Sequence, residues 1–227
     1  MKIPTYLSAE DHARVSEAVS AAERQTAGEI VTVLADRSDG YSDVALTWAA
    51  LFAFAELTAL AFAPELHLRF YDFLGGGWVQ EWTAQAIFSL AATLAAGVFL
   101  IVLALQLWPP LKFFMIPAVI KTNRVHERAV RAFRIGTERR THGRTGVLIY
   151  LSMREHRAEI VADEAIATKV DPAVWGDAME AMLSELKQGQ IADGMIATVE
   201  QVGHLLAEHF PIAEEDTNEL PDRLIEV

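Results

Sequence analysis

Cysteine is absent from all 227 residues. Disulfides, Cys-ligated zinc, iron–sulfur clusters and any Cys-nucleophile protease or phosphatase are therefore excluded, and a reducing compartment is suited. Nucleotide and nucleophile signatures are missing as well. The chain holds no G-x-x-x-x-G-K-[ST], no G-x-G-x-x-G and no G-x-S-x-G, so phosphate-cradling loops and a serine elbow have no sequence support. His126-Glu127 opens like a zinc-protease helix, but Val130 stands where the second histidine belongs. A net charge of −12 argues against nucleic acid as the main partner.

Lysine and arginine are absent from two long apolar runs, Val44–Ala63 and Ala84–Leu107. At ~1.5 Å per residue, 20 or more residues of helix cross a hydrocarbon core of roughly 30 Å. Core helices of soluble proteins carry a polar face at each turn, and these runs do not. Neither run sits at the N-terminus behind a basic leader, so neither reads as a cleavable signal peptide. The runs predict a transmembrane hairpin in the lipid bilayer, with residues 65–83 connecting its ends.

Flanking charge orients that hairpin. Between Lys112 and Arg144 there are nine Lys/Arg against two acids, whereas 65–83 holds one arginine against three acids. The positive-inside bias puts residues 1–43 and 108–227 in the cytoplasm and 65–83 outside, at the inner membrane. Trp48, Trp78, Trp82 and Trp108 fall near the run ends, as interfacial aromatics do. Lys121, Arg124, Arg128 and Arg131 recur at helical spacing and suit anionic headgroups. The last fifteen residues, 213–227, carry six acids and read as an acidic tail.

Soluble segments flank the hairpin. Ser8-Ala-Glu-Asp11 is a capping box opening a helix with Val15, Ala18, Val19 and Ala22 on one face. Glu29–Ala35 (EIVTVLA) reads as a strand, and Gly146–Ser152 (GVLIYLS) as a central strand buried on both sides. Arg157–Ala162 (RAEIVA) follows after a short turn, which predicts an antiparallel pair. Between them, Val125, Ala129, Ala132 and Phe133 line one face of a helix with arginines opposite. Asp171-Pro172 caps a further helix that Gly189 ends, and Ile191–His209 forms the last. The expected fold is α/β: a small mixed sheet of three or four strands between helices, built from 1–43 and 108–212 and interrupted by the hairpin 44–107.

The order of these elements, with T-G-V-L-I-Y-L-S, R-A-E-I-V-A-D, D-P-x-x-W and G-Q-I-A-D-G-M-I-A, resembles the TPM domain family over about residues 8–40 and 119–211. The resemblance implies an α/β/α sandwich and, in some members, divalent-metal binding with weak phosphatase activity. Many members carry a glycine-rich segment after the last hairpin strand. Here Ala162–Ala167 holds no glycine, and the orientation above puts the domain inside, whereas better-known members lie outside the cytoplasm. The expectation is thus an accessory or binding module for a membrane complex, through a membrane-protein partner or a second copy. The alternative is a metal-dependent phosphatase.

Strand-end carboxylates are the candidate ligands. Asp36 and Asp39 follow the first strand, and Asp163 and Glu164 follow the third, where α/β sheets place ligands. Oxygen donors of this kind suit Ca²⁺ or Mg²⁺; turn and cap roles compete. Glu200, His204 and Glu208 form a second stripe, better explained as a solvated helix face. Within the first run, Glu56 demands compensation at a cost of roughly 2.5–3.5 kcal/mol. Gln85, Ser89, Thr93 and Gly97 recur every four residues in the second run. Ser89 and Thr93 bracket the depth of Glu56 and are its expected partners.

Overall fold

A computed structural model describes residues 5–75, 82–136, 145–212 and 223–227. In chain order its elements are α1 (Ala9–Glu23), β1 (Glu29–Ala35), α2 (Ser42–Phe62), α3 (Pro64–Gly75), α4 (Ala84–Leu105), α5 (Pro109–Met115) and α6 (Ala118–Gly136), followed by β2 (Gly146–Ser152), β3 (Arg157–Ala162), α7 (Glu164–Ala167), α8 (Pro172–Lys187), α9 (Ile191–His209) and β4 (Ile225–Glu226). They form two compact units, one from residues 1–39 and 118–227, the other from 40–117. The division falls a few residues outside the apolar runs, because Gly40–Tyr41 and all of α5 belong with the helices between them.

The first unit is a four-stranded mixed sheet in the order β3-β2-β1-β4. β1 lies parallel to β2 and to β4, while β2 and β3 pair antiparallel. Successive residues of a strand point to opposite faces, and both faces are covered. Ile30, Leu34, Val147, Ile149 and Leu151 pack with Val15, Val19, Met182, Met195 and Val199 of α1, α8 and α9. Val31, Val33, Leu148 and Tyr150 pack against Val125, Ala129 and Phe133 of α6. Double coverage explains why β1 and β2 are buried at every position. Helix ends fall where their cap chemistry puts them. Ser8 and Asp11 close the capping box of α1, the Asp171 carboxylate accepts from the Ala173 amide at 2.9 Å, and Gly189 leaves α8 at φ +80°.

Composition suggested a tail at 213–227. Residues 213–222 lie outside the described residues, as do Arg139, Arg140 and Arg144 of the basic stretch. The last residues instead supply the fourth strand. The Val227 amide donates to the Leu34 carbonyl at 2.9 Å, the Asp36 amide donates to Val227 at 2.8 Å, and Leu224 is buried in the core. The open edge of β1 offers unpaired backbone groups, and these residues satisfy them.

In the second unit α2 packs along α4, with Val44, Ala45, Ala49, Leu60 and Leu90 buried. One end of the pair is tied by polar contacts: Gln106 Nε2 donates to the Ala45 carbonyl at 3.1 Å and Trp48 Nε1 to the Met115 carbonyl at 3.0 Å. Tyr41 meets Phe113 edge-on at 5.7 Å. Both α2 and α4 are long and apolar enough to cross a membrane, and only 17% and 6% of their most apolar windows are buried. Phe54, Phe62, Phe88, Leu100 and Leu105 point outward. The connection expected at 65–83 is helical through α3; Trp78 lies outside the described residues.

Glu56 has a partner that its sequence neighbourhood did not suggest. His67 of α3 places Nε2 at 3.4 Å from its carboxylate and Nδ1 at 2.9 Å from the Ala63 carbonyl. Ser89 and Thr93 are exposed, and the Thr93 hydroxyl donates to the Ser89 carbonyl at 2.8 Å. Matching depth fixes a level along two helices but not an azimuth. The four-residue stripe faces away from the seam that Leu90 makes, and an added Cβ on Gly97 would meet nothing.

Candidate functional site

Parallel strands β1 and β2 end together, Ala35 beside Ser152, and the loops that leave them form a polar cluster. Residues 36–39 continue from β1 and 153–156 make the turn into β3. Backbone bonds join the two loops: Met153 donates to the Ala35 carbonyl at 2.9 Å and Arg154 to that of Asp36 at 3.0 Å.

Asp36 sits between two donors. Arg154 Nε donates to both of its carboxylate oxygens, at 2.9 and 3.0 Å, and the Tyr6 hydroxyl donates to one of them. Burial pushes the Tyr6 phenol up to about 12, and the bond to the Asp36 carboxylate adds to the shift. Beside this pair runs a chain of hydroxyls. Tyr150 Oη lies 3.2 Å from Ser38 Oγ, Ser38 Oγ donates to Ser152 Oγ at 3.1 Å, and Ser152 Oγ donates to Glu155. The second Glu155 oxygen accepts from the Ser38 amide at 2.9 Å. The Glu155 side chain belongs to a residue only 2% exposed, so a carboxylate taken out of water is compensated by two donors. Burial also raises the Tyr150 phenol.

This cluster binds loops together more readily than it does chemistry. A nucleophilic serine needs a base on its own hydroxyl and a path for substrate. Ser38 gives its proton to Ser152, while Ser152, the residue facing the carboxylate, is fully buried. Sequence reasoning missed Glu155, Ser38, Ser152 and Arg154. A charged pair in a tight turn reads as solvent-facing, and only the approach of the loop after β1 buries it.

The four strand-end carboxylates do not converge. β3 runs antiparallel to β2, so Ala162 lies opposite Val147 at the start of β2, and Asp163 follows at that end. The Asp163 carboxylate accepts from the Gly146 amide at 3.0 Å. Asp36 follows the opposite end of the sheet, about 20 Å away at ~3.3 Å per residue. Asp39 pairs with Arg124 at 3.3 Å, and Glu164 is exposed in the first turn of α7. Each buried or half-buried acid is thus turned to a donor of the fold. Among the described residues, no three His, Asp or Glu side chains stand where they could hold a metal. The donor set does not fit Ca²⁺ or Mg²⁺. Glu200, His204 and Glu208 are exposed on α9.

The basic helix is only partly open. Arg128 and Arg131 are exposed and Lys121 is half-buried. Arg124 is engaged by Asp39 and, at 3.8 Å, by Glu127.

Residues 114–205 match the family model of the TPM domain. Among solved structures, the chain is similar to the NMR structure of the BA42 protein from the psychrophilic bacterium Bizionia argentinensis. The two share 19% identity and a TM-score of 0.57 over 100% of this chain and 99% of that one, a likeness of fold. No curated protein matches the chain.

Proposed function

Because residues 114–205 carry a TPM domain, we propose that this protein is a membrane-anchored TPM binding module. In this reading α2 and α4 cross the cytoplasmic membrane, and both chain ends lie in the cytoplasm. The α/β unit serves a membrane complex as an accessory without turning over a substrate. One observation carries the reading: α2 and α4 pack on each other yet bury only 17% and 6% of their most apolar windows. Neither a core helix nor an N-terminal signal has that combination. Lys121 and Arg131, with Arg128 partly engaged by the Tyr150 hydroxyl, supply attraction to anionic headgroups, worth about 1 kcal/mol per cation near the surface. Arg124 adds less, being held by Asp39.

The phosphatase alternative asks Asp36, Asp39, Asp163 and Glu164 to share a cation. The sheet stands between the two pairs, and Arg154 already neutralises Asp36. The reading is tested on native membranes. The full chain is expected to stay with the pellet through an alkaline carbonate wash, and to co-purify after crosslinking with a membrane protein or a second copy. Release by carbonate would sink the anchor. Metal-dependent hydrolysis of p-nitrophenyl phosphate that Asp36→Asn abolishes would restore the enzyme.

A further inference from the structure

A cavity of about 340 Å³ opens between the β2–β3 turn and the corner where α8 meets α9. It lies wholly within the α/β unit, and neither the cluster at Asp36 nor the apolar hairpin accounts for it. Its wall is aliphatic: Leu151, Met153, Ala158, Leu183, Leu186 and Ile191 line it. Leu183 is 42% exposed there, a cost that an apolar occupant would remove.

The mouth has one sign of charge. His156, Arg157 and Lys187 line the cavity together with Ser152 and Gly189, and no acid does. This is conspicuous in a chain whose net charge is −12. Lys187 makes no ion pair with any described residue, and Arg157 spends one donor on the His156 carbonyl at 3.0 Å, leaving the rest of its guanidinium available. Backbone geometry fixes the rim: His156 at φ +50° and Gly189 at φ +80° both sit at tight reversals.

The ligand chemistry follows from these features. Aliphatic walls without an aromatic plate suit a methylene chain, and clustered cations suit an anionic head. The volume lies at the small end for ligand pockets, which run from about 300 to 1,000 Å³. One chain fits that space and a two-chain phospholipid does not. We propose that the cavity between the β2–β3 turn and the α8–α9 corner binds a medium-chain carboxylate, with Arg157 and Lys187 holding the head and Leu151, Leu183, Leu186 and Ile191 lining the chain. The assignment stands apart from the membrane anchor, since every residue it uses is in the α/β unit.

The test is photolabelling of the full chain in phosphatidylcholine nanodiscs with a diazirine-bearing laurate analogue, followed by peptide mapping. Label is expected on peptides covering 151–158 and 183–191. Laurate should compete it away, and dodecyl alcohol should compete at least about tenfold less well, since a charge-assisted contact is worth more than one such factor. Two independent variants should each remove most of the label: Arg157→Ala/Lys187→Ala, which takes one cation from a half-buried and one from an exposed position, and Leu183→Trp, which fills the cavity. Label confined to α2 and α4, equal competition by dodecyl alcohol, or label unchanged in both variants would overturn the assignment.

Discussion

Removing the Glu155 carboxylate strands two donors at once, the Ser38 amide and the Ser152 hydroxyl. Each buried donor left unpaired costs about 1–3 kcal/mol, so Glu155→Ala should destabilise the α/β unit by roughly 2–4 kcal/mol. Glu155→Gln keeps an acceptor for one donor and should lose about half as much. Thermal melting decides it, and an unshifted transition for the alanine variant would mean that water replaces the carboxylate. Tyr6 adds a pH dependence of known sign. Its phenol ionises near 10.0 when unfolded and at about 12 in the fold, through burial first and the Asp36 bond second. A group whose folded pKa is raised contributes stability that is fully present below its unfolded value. That share should be intact below pH 10 and fade as the pH climbs toward 12. Tyr6→Phe should melt with a shallower alkaline decline than the parent. Equal declines would remove Tyr6 from the account. Neither residue announces itself in the sequence. Tyr6 precedes the capping box and Glu155 occupies a four-residue turn; segments far away along the chain half-bury the first and bury the second.

At the scale of elements, β4 shows what local pattern leaves out. Two residues in an acidic stretch carry no periodicity. What makes them a strand is the unpaired edge of β1, which only the assembled sheet presents. Deleting residues 224–227 should remove the β4 ladder to β1, the backbone bonds of Val227 to Leu34 and Asp36, the burial of Leu224 and the Glu226 carboxylate that accepts from the Tyr6 amide at 2.7 Å. The sum is roughly 3–5 kcal/mol, and the bared edge should promote self-association. A truncated chain that melts and elutes like the parent would show β4 to be ornamental. Helices with explicit caps were readable, because Ser8, Asp171 and Gly189 act on their own neighbours. The candidate acids were readable as strand ends but not as a set. Chain order places Asp36 and Asp163 after strands, and strand direction decides at which edge each strand ends. The short turn 153–156 already implied that β3 reverses. That reversal, followed through to Asp163, separates the acids.

The whole molecule joins a charged α/β unit to an apolar helix pair, and its lack of cysteine makes that architecture directly measurable. A single introduced cysteine is the only thiol in the chain. Glu65 is exposed in α3, between the two apolar helices, and Arg131 is exposed on α6 of the α/β unit. Both substitutions leave the packed cores alone. If nine basic residues against two in 112–144 hold that side in the cytoplasm, a membrane-impermeant maleimide applied to intact cells should modify Glu65→Cys and spare Arg131→Cys until the membrane is opened. The reverse pattern would invert the topology and place the α/β unit outside, where the resemblance to extracytoplasmic members would regain force. Protection of both sites in intact cells, together with recovery of the chain in the soluble fraction, would make α2 and α4 the docking surface of a soluble assembly instead. The bias of charge and the exposure of α2 and α4 favour the first pattern, because burying so much outward-facing apolar surface requires either lipid or a partner of equal extent, and in the proposed reading lipid would also account for the arginines that gather after the second apolar helix and not between the two.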